Sequence, residues 1–398
     1  MLTYYITPMD LQGKKILLGI TGGIAAYKAC ELLRVLQKRG AEVRVVMTET
    51  ATGFVGQTTF EALSGFPVYS ETAAMNSKPL RHIDYPRWAD IYMVAPCSAT
   101  SLARFVSGTG EEPVSLCFLA MQGERWVVPS MNSVMYGSQA VQKNLETLKS
   151  WGVKVVEPVF GHLACNEEGT GKFPEPPDIA DELEFGGFDR EKTLLITMGR
   201  TEESMDPVRY ISNRSSGKTG VAIAKEFLRN GWRVVAVHGP MEAQLPKQCE
   251  RMHIHSAECM NNAVFKMQAQ ANVIVHCAAV ADYRPKQVAK QKIKDSRAVQ
   301  KLELEETSNV LKNTIKNRTP NQKIVSFALE TENAVANAQK KFDEGNIDVM
   351  VVNIANGNGG FGKDDIEYGI ISGNNRNINL TYGTKEELAS QLFKEINV

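Results

Sequence analysis

A short polar segment in the second half of the chain has the residue types that bind a phosphate. Residues 210–218, YISNRSSGK, include three serines, a glycine and a lysine, and an apolar helical pattern follows them. Hydroxyl groups and free backbone N–H groups at the start of a helix bind anions, and the helix dipole favours negative charge at that end. We therefore predict an anion-binding site beside Ser215, Ser216 and Gly217.

Two other interpretations of this segment explain less. The residues GKT at 217–219 complete the end of a Walker A motif, but the first glycine of that motif would fall at Ser212. A serine N-cap would account for either serine, but it would leave Asn213 and Arg214 without a role.

A second glycine-rich turn lies near the N-terminus. The sequence GITGG at residues 19–23 joins an apolar run to a helical pattern. Glycines there let the backbone approach a ligand, and the following helix presents its N–H groups to an anion, so we predict a phosphate at this turn. The spacing does not match G-x-G-x-x-G, so a purely structural turn is the alternative.

Three further residues of the first half are candidates for chemistry: His82 in RHID, Asn132 in PSMN and Cys165 in HLACNEEGTGK. Each has an ordinary interpretation when taken alone. A histidine is commonly a surface or core residue, an asparagine can simply close a turn, and a cysteine is usually a small buried hydrophobe. Their combination favours function.

The elements that must position these residues follow an α/β rhythm. Short apolar runs alternate with helical patterns, which predicts parallel sheets covered by helices. In the first half the strand candidates are 15–20, 42–47, 90–95, 126–129 and 154–156, with a helix over 25–38. The rhythm restarts with strands at 193–197, 233–237, 273–276, 324–328 and 349–352, and a helix over 217–230. The predicted fold class is α/β, with two doubly wound domains.

The domain boundary is predicted near residue 188. Residues 174–177, PEPP, and 186–190, GGFDR, break regular structure on either side of a helical candidate at 179–185. The predicted domains are 1–188 and 189–398. The helical periodicity of 385–396 predicts a C-terminal packing helix.

Composition excludes several classes of protein. Lys plus Arg and Asp plus Glu both number 45 in 398 residues, so no global field recruits nucleic acid or an anionic membrane. The seven cysteines form no C-x-x-C pair, and their odd number argues for a reducing compartment. No basic leader or apolar run of about 20 residues is present, so we expect a cytoplasmic protein.

The motifs resemble those of two enzyme families of coenzyme A synthesis. YISNRSSGK, with MDPVRY at 205–210 and AAVADYR at 278–284, is similar to phosphopantothenate–cysteine ligases. The residues GGIAAYK at 22–28, together with His82, Asn132 and Cys165, resemble phosphopantothenoylcysteine decarboxylases over about residues 14–182. Together they resemble the bifunctional family that carries both steps in one chain.

For the first domain, the resemblance implies a flavodoxin-like fold that binds FMN. Oxidation of the substrate's thiol by the flavin creates an electron sink beside the carboxylate, so that carbon dioxide leaves and an enethiol remains. His82 is then the base or proton carrier, Asn132 holds the carboxylate, and Cys165 gives a proton to the enethiol. The implied flavin contacts are Thr21, Gly22, Gly23, Thr48 and Ser98.

For the second domain, the resemblance implies a Rossmann-like ligase. It joins 4′-phosphopantothenate to cysteine through an acyl-nucleotide intermediate, with CTP as the usual nucleotide of bacterial members and Mg²⁺ accompanying it. Asn213 would orient the acyl phosphate, and Lys292 would neutralise the triphosphate. The implied nucleotide contacts are Asp282, Lys292, Thr307, Ser308, Asn309, Val310, Phe327 and Lys341. A homo-oligomer with trimeric flavin units and paired ligase domains is also implied.

The sequence departs from the family patterns at several positions. Asn166 stands where a glycine is usual and Thr100 where Asn or Asp is expected. Glu202 replaces an arginine, Gly345 replaces a lysine, and Ser308-Asn309 replaces Pro-Asp. These departures motivate one alternative, a regulatory scaffold with one decayed active site. The triad of the first domain leaves a second, a flavoprotein that decarboxylates the C-terminal cysteine of a peptide.

A zinc site is the remaining possibility to weigh. His253 and His255 alternate onto one face of a strand, but the sequence shows no third ligand for a metal ion.

Overall fold

The structure is a computed structural model that describes residues 11–71, 80–186, 190–294, 302–330, 333–354, 365–373, 376 and 378–397. These residues form two compact units, one within Met9–Gly187 and one within Phe188–Val398. The boundary predicted near residue 188 falls on residues outside the described ranges.

The first unit is built on a five-stranded parallel sheet. Its strands lie in the order β2-β1-β3-β4-β5, the doubly wound order of flavodoxin-like folds, which confirms the predicted fold. The strands are β1 Lys15–Ile20, β2 Glu42–Met47, β3 Ile91–Cys97, β4 Glu124–Pro129 and β5 Lys154–Val155.

Helices cover both faces of this sheet. Adjacent residues of β1 point to opposite faces: Leu18 belongs to one buried cluster and Leu17 to another, and both are fully buried. Burial on both faces is typical of parallel sheets. The described helices of this unit are α1 Ala26–Lys38, α2 Glu49–Thr52, α3 Gln57–Ser64, α4 Arg81–Trp88, α5 Ala99–Ser107, α6 Pro113–Ala120, α7 Ser133–Tyr136, α8 Gln139–Ser150 and α9 Pro176–Phe185.

An antiparallel hairpin follows the sheet. Strands β6 Val159–His162 and β7 Glu168–Lys172 pair across a turn of five residues, 163–167. We call residues 159–172 the flap, since its turn carries Cys165. The sequence predicted no strands in this segment.

The second unit is built on an eight-stranded sheet. Its order is β12-β11-β8-β13-β16-β17-β18-β19; the first six strands are parallel, as in Rossmann folds, while β18 is antiparallel to β17 and β19 is antiparallel to β18. The strands of this unit are β8 Thr193–Met198, β9 Glu202–Ser204, β10 Tyr210–Ser212, β11 Arg233–His238, β12 Glu250–His253, β13 Val273–His276, β14 Tyr283–Pro285, β15 Leu304–Glu306, β16 Lys323–Glu330, β17 Val349–Ile354, β18 Asp365–Ser372 and β19 Thr381–Thr384.

The helices of the second unit complete its layers. They are α10 Lys218–Arg229, α11 Ala257–Gln268, α12 Val310–Lys316, α13 Ala334–Gly345 and α14 Lys385–Asn397. The predicted C-terminal helix is α14, and it packs through Phe393, whose ring lies 5.0 Å from that of Phe227 in an edge-to-face arrangement. Among the helices described in either unit, none combines the length and apolar character that a membrane span requires.

Candidate active sites

The first cleft lies at the carboxyl ends of β1 and β3, where the strand order reverses. Ligands of doubly wound folds bind at such switch points. Thr21 ties the two strand ends together, because its Oγ1 donates to the Pro96 carbonyl at 2.9 Å and accepts from the Ser98 N–H at 2.8 Å. The cleft beside this tie has a volume of about 690 Å³. That is within the roughly 300–1,000 Å³ of small-molecule sites.

Most of the predicted residues of the first half line this cleft. The lining residues among them are Thr21, Gly22, Gly23, Ser98, Asn132 and Cys165. A Cβ atom on Gly22 would collide with Thr50, whereas one on Gly23 would meet nothing within 4 Å. Gly22 is therefore required for close packing of the turn, and Gly23 leaves space for a ligand.

Two predicted residues lie outside the lining of the first cleft. Thr48 is the N-cap of α2, and its Oγ1 accepts a hydrogen bond from the Ala51 N–H at 3.2 Å. His82 lies in the first turn of α4 and is half-buried. The isolated chain thus does not bring His82 to Asn132 and Cys165.

Asn132 and Cys165 are brought together with a third polar group. The Asn132 Nδ2 donates to Glu167 Oε2 at 2.8 Å and lies 3.3 Å from the Cys165 Sγ, which is itself 3.5 Å from Glu167 Oε2. The Asn132 Oδ1 accepts from the Val134 N–H at 2.8 Å at the start of α7. This last bond fixes the amide, so its NH₂ group is the part directed at Cys165.

The turn of the flap depends on a left-handed residue. Asn166 has φ of +60°, a region that asparagine tolerates better than most residues with a side chain. The substitution of the usual glycine is therefore compatible with the turn.

Other lining residues were not identified from the sequence. Lys28, in the first turn of α1, lines the cleft and pairs with Glu175 at 2.8 Å. Thr100 lines it as well, so the substituted position does face the ligand space. The remaining lining is largely apolar, with Tyr27, Met131, Met135, Leu163 and Phe173 among its members. Lys28 could have been found from the sequence, because it is the last residue of GGIAAYK. A helix that starts at a phosphate site places a cation of its first turn near that site.

The second cleft lies at the carboxyl ends of β13, β16 and β17 and has a volume of about 180 Å³. The predicted anion-binding residues Ser215, Ser216 and Gly217 line it, and Arg214 does so beside them. Helix α10 begins after Gly217 without a side-chain cap, so neither serine is the ordinary N-cap. Both remain at the cleft.

The backbone at Gly217, in the lining of the second cleft, requires a glycine. Its φ is +77°, and a Cβ atom would lie 2.6 Å from the Met241 Sδ. A side chain would be strained by the backbone angle and also crowded by Met241.

Three predicted ligase residues meet at one turn, residues 280–282. Asn213 Nδ2 donates to the Val280 carbonyl at 2.9 Å, and the Thr307 hydroxyl donates to the Ala281 carbonyl at 2.6 Å. The Asp282 carbonyl accepts from the Thr307 N–H at 2.9 Å, while its carboxylate side is exposed. The motifs SNRSSGK and VADYR, which are far apart in sequence, therefore form one surface.

The remaining residues of 307–310 differ in their roles. Asn309 is the N-cap of α12 and accepts from the Lys312 N–H at 2.9 Å. Val310 is buried in the core, and Ser308 is exposed. Asn309 and Val310 thus have structural roles that a sequence motif does not reveal.

Lys292 is exposed on a loop that a buried carboxylate anchors. Asp206 Oδ2 accepts from the Ile293 N–H at 3.2 Å and from the Arg209 guanidinium at 2.7 Å. Burial alone would raise the pKa of Asp206, but hydrogen bonds from Val208, Arg209 and Ile293 lower it overall. The ionised carboxylate therefore holds the neighbour of Lys292 in place.

The other predicted lysine lies elsewhere. Lys341, on α13, pairs with Glu330 at 2.6 Å and is not among the residues that line the second cleft. Phe327 does line it. A cation that the sequence did not single out, Lys385 at the start of α14, is buried and lines the cleft.

Buried polar groups surround the second cleft. The Asn353 Oδ1, in its lining, is buried without a hydrogen-bond partner among the described residues. Burial raises the pKa of Cys277 to about 12, although the charge of Lys385 acts in the opposite direction. Burial also lowers the pKa of the adjacent His276 to about 4. A buried acceptor without a partner is suited to receive a hydrogen bond from a ligand.

The substitution at Glu202 is offset by its neighbour. Arg200 Nε lies 3.4 Å from Glu202 Oε1, and another nitrogen of Arg200 donates to the Ser215 carbonyl at 3.4 Å. Positive charge is therefore present beside the serines that were predicted to bind an anion, despite the acidic residue.

Three histidines of the second unit lie close together. His253 lies 5.2 Å from His238 and 4.7 Å from His255, measured between ring centroids. Within the described ranges, no group of three or more His, Cys, Asp or Glu residues has an arrangement that could hold a metal ion.

Two family models cover most of the chain. The model described as "Flavoprotein" matches residues 5–184, and "DNA/pantothenate metabolism flavoprotein C-terminal domain" matches residues 190–398. The coenzyme A biosynthesis bifunctional protein CoaBC of Haemophilus influenzae is 37% identical over 395 residues, with 98% of each chain covered. That of Bacillus subtilis is 35% identical over 396 residues, with 97% of each covered. The chain belongs to this bifunctional family.

A solved structure is also similar. The crystal structure of the C-terminal domain of a coenzyme A biosynthesis bifunctional protein CoaBC is 33% identical, and the match covers 52% of this chain and 94% of that one with a TM-score of 0.44.

Membership of the bifunctional family confirms the predicted pair of activities. The chain is a two-domain enzyme of coenzyme A biosynthesis that combines a phosphopantothenoylcysteine decarboxylase with a ligase. Its first half is a flavoprotein domain, so the predicted class of cofactor is confirmed.

Proposed function

We propose that the first unit binds FMN in the 690 Å³ cleft and decarboxylates 4′-phosphopantothenoylcysteine to 4′-phosphopantetheine. The residues present fit a flavin phosphate, because the turn is open to a ligand at Gly23 and Lys28 supplies a cation beside it. The apolar lining suits the flavin ring. FMN, when bound, would supply the reversible two-electron oxidation of the substrate's thiol.

The orientation of the Asn132 amide is the observation that carries this proposal. Its oxygen is held by the Val134 N–H, so its NH₂ group is left to bind a carboxylate beside Cys165. A neutral donor positions the carboxylate without the strong ground-state stabilisation that an arginine would give. The electron pair of the broken carbon–carbon bond would form a carbon–carbon double bond while the C=S electrons moved onto sulfur. Cys165 would donate its S–H proton to the resulting enethiol as the two electrons held by the reduced FMN returned to it, which gives the thiol product.

His82 would act from a second copy of the chain. It lies outside the lining of the first cleft in the isolated unit, and the family resemblance implies trimeric flavin units. A neighbouring copy would therefore place its imidazole over the cleft, where it would act as the base or proton carrier. Ligase domains would pair within the same homo-oligomer.

The second unit would activate 4′-phosphopantothenate with CTP and join it to cysteine. Ser215, Ser216 and the N-terminus of α10 would hold an anionic group, and Asn213 would orient the acyl phosphate. The base would lie near Phe327 and Asn353, and the exposed Lys292 would neutralise the triphosphate, with Asp282 also contacting the nucleotide. Mg²⁺ would accompany the nucleotide as in other triphosphate sites.

Turnover from 4′-phosphopantothenate to 4′-phosphopantetheine tests both halves at once. We expect FMN-dependent product, and pyrophosphate release from CTP that requires both 4′-phosphopantothenate and cysteine. A colourless protein that cannot take up FMN would refute the decarboxylase assignment. Faster turnover with ATP than with CTP would refute the choice of nucleotide.

A further inference from the structure

The flap carries a carboxylate that competes for the donor assigned to the substrate. Glu167 and Cys165 both lie in the turn of the flap, and Glu167 Oε2 accepts from Asn132 Nδ2 at 2.8 Å. The proposed function gives this same Nδ2 to the carboxylate that leaves as carbon dioxide. The Glu167 carboxylate therefore accepts from the same donor that the substrate carboxylate would use.

The Asn132 amide has no spare capacity in this arrangement. Its oxygen is bonded to the Val134 N–H, and its two N–H groups are directed at Glu167 and at the Cys165 Sγ. An amide NH₂ offers two donors only. A substrate carboxylate must consequently displace one acceptor, and the negatively charged Glu167 is the one that it repels.

We propose that Glu167 occupies the place of the substrate carboxylate and that the two exchange during each turnover. This inference rests on the proposed decarboxylation. Substrate binding releases Glu167 from Asn132, and loss of carbon dioxide leaves the amide free to bind Glu167 again. Because Glu167 is two residues from Cys165 in one turn, its return brings the thiol to the enethiol that needs a proton. Glu167 is a positioning residue in this scheme.

The scheme predicts opposite effects on two kinetic parameters. The variant Glu167→Ala lacks the competing carboxylate, so the KM for 4′-phosphopantothenoylcysteine should fall roughly three- to tenfold, the range expected for the net contribution of one typical hydrogen bond. The flap should also return less often, so kcat for the complete reaction should fall by a similar factor. Glu167→Gln, which keeps an acceptor of the same shape without the charge, should lie between.

Binding of the product separates this scheme from a merely structural role. The product 4′-phosphopantetheine has no carboxylate, so its Kd for FMN-loaded Glu167→Ala, followed by the flavin absorbance, should match that of the wild type within about twofold. The matched control is Glu168→Ala, since Glu168 is the adjacent carboxylate of the flap and pairs with His162 at 2.8 Å. This control should leave the KM unchanged.

The results that would overturn the proposal are a KM that rises or stays constant in Glu167→Ala, or product binding that weakens together with substrate binding. Both would show that Glu167 only stabilises the flap. Failure of the proposed function is a separate result, since the wild-type protein itself would then release no carbon dioxide from 4′-phosphopantothenoylcysteine.

Discussion

The two clefts lie at the same place in two related folds, yet they are completed in different ways. The first is wide, about 690 Å³, and side chains from β3, α7 and the flap already meet in it. The second is narrower, about 180 Å³, and its predicted cation Lys292 lies on an exposed loop. The reversal of strand order in a doubly wound sheet thus fixes where a ligand binds, while the chemistry depends on the loops and hairpins around that place.

The variant Cys165→Ser should have the largest effect, and it acts on the first cleft only. Without the thiol proton, formation of 4′-phosphopantetheine should fall about a thousandfold, within the range for loss of one proton donor. Mass spectrometry should show carbon dioxide loss with accumulation of the oxidised intermediate. Cys259→Ser replaces the exposed cysteine of the second unit and is the control. Normal product from Cys165→Ser would contradict the role.

The variant Asn213→Ala should act on the second cleft only. Loss of its amide removes both the contact to the Val280 carbonyl and the donor proposed for the acyl phosphate. We expect ligase kcat to fall about a hundredfold, as for other oriented donors, with decarboxylation unchanged. Asn313→Ala, at an exposed asparagine that bonds Asn261, should leave pyrophosphate release unaltered. An equal loss of ligase kcat in the two variants would contradict the role of Asn213 in the site.

The variant Gly217→Ala measures how tightly the second cleft is built. Gly65 has the same φ of +77° but open space around its Cβ position. Gly65→Ala should therefore cost about 1 kcal/mol from the backbone angle alone. Gly217→Ala should cost about 1 kcal/mol more because Met241 must move. Denaturant unfolding of the two full-length variants would measure both losses in the free energy of unfolding. Equal losses would show that Met241 moves aside at no cost.

Acid should weaken the second unit through His276. Its folded pKa is about 4, below the unfolded value, so the unfolded chain takes up a proton first as the pH falls. The contribution of His276 to the free energy of unfolding is fully present above about pH 6.5 and is lost progressively between pH 6.5 and 4. The loss amounts to ~1.4 kcal/mol at pH 5.5. His276→Leu should flatten this slope in urea titrations, although His238, whose pKa burial also lowers, acts in the same direction. An unchanged slope would show that His276 does not control it.

The sequence by itself determined the fold class and the two glycine-containing turns, and it named six of the residues that line the first cleft. Periodicity and glycine-rich turns are local signals, so β1, β8 and α10 appear close to their predicted bounds. The order of the strands within each sheet, by contrast, depends on which distant runs pair.

Only the tertiary structure decided which polar residues meet. It placed Glu167 on Asn132 across 35 positions of sequence, paired Lys341 with Glu330, and put His82 on a helix outside the first cleft. The physical reason is that hydrogen bonds and ion pairs act over a few ångströms, and folding brings distant segments to that range. A sequence motif indicates which groups can react, and the packing of sheets and turns determines which groups they contact.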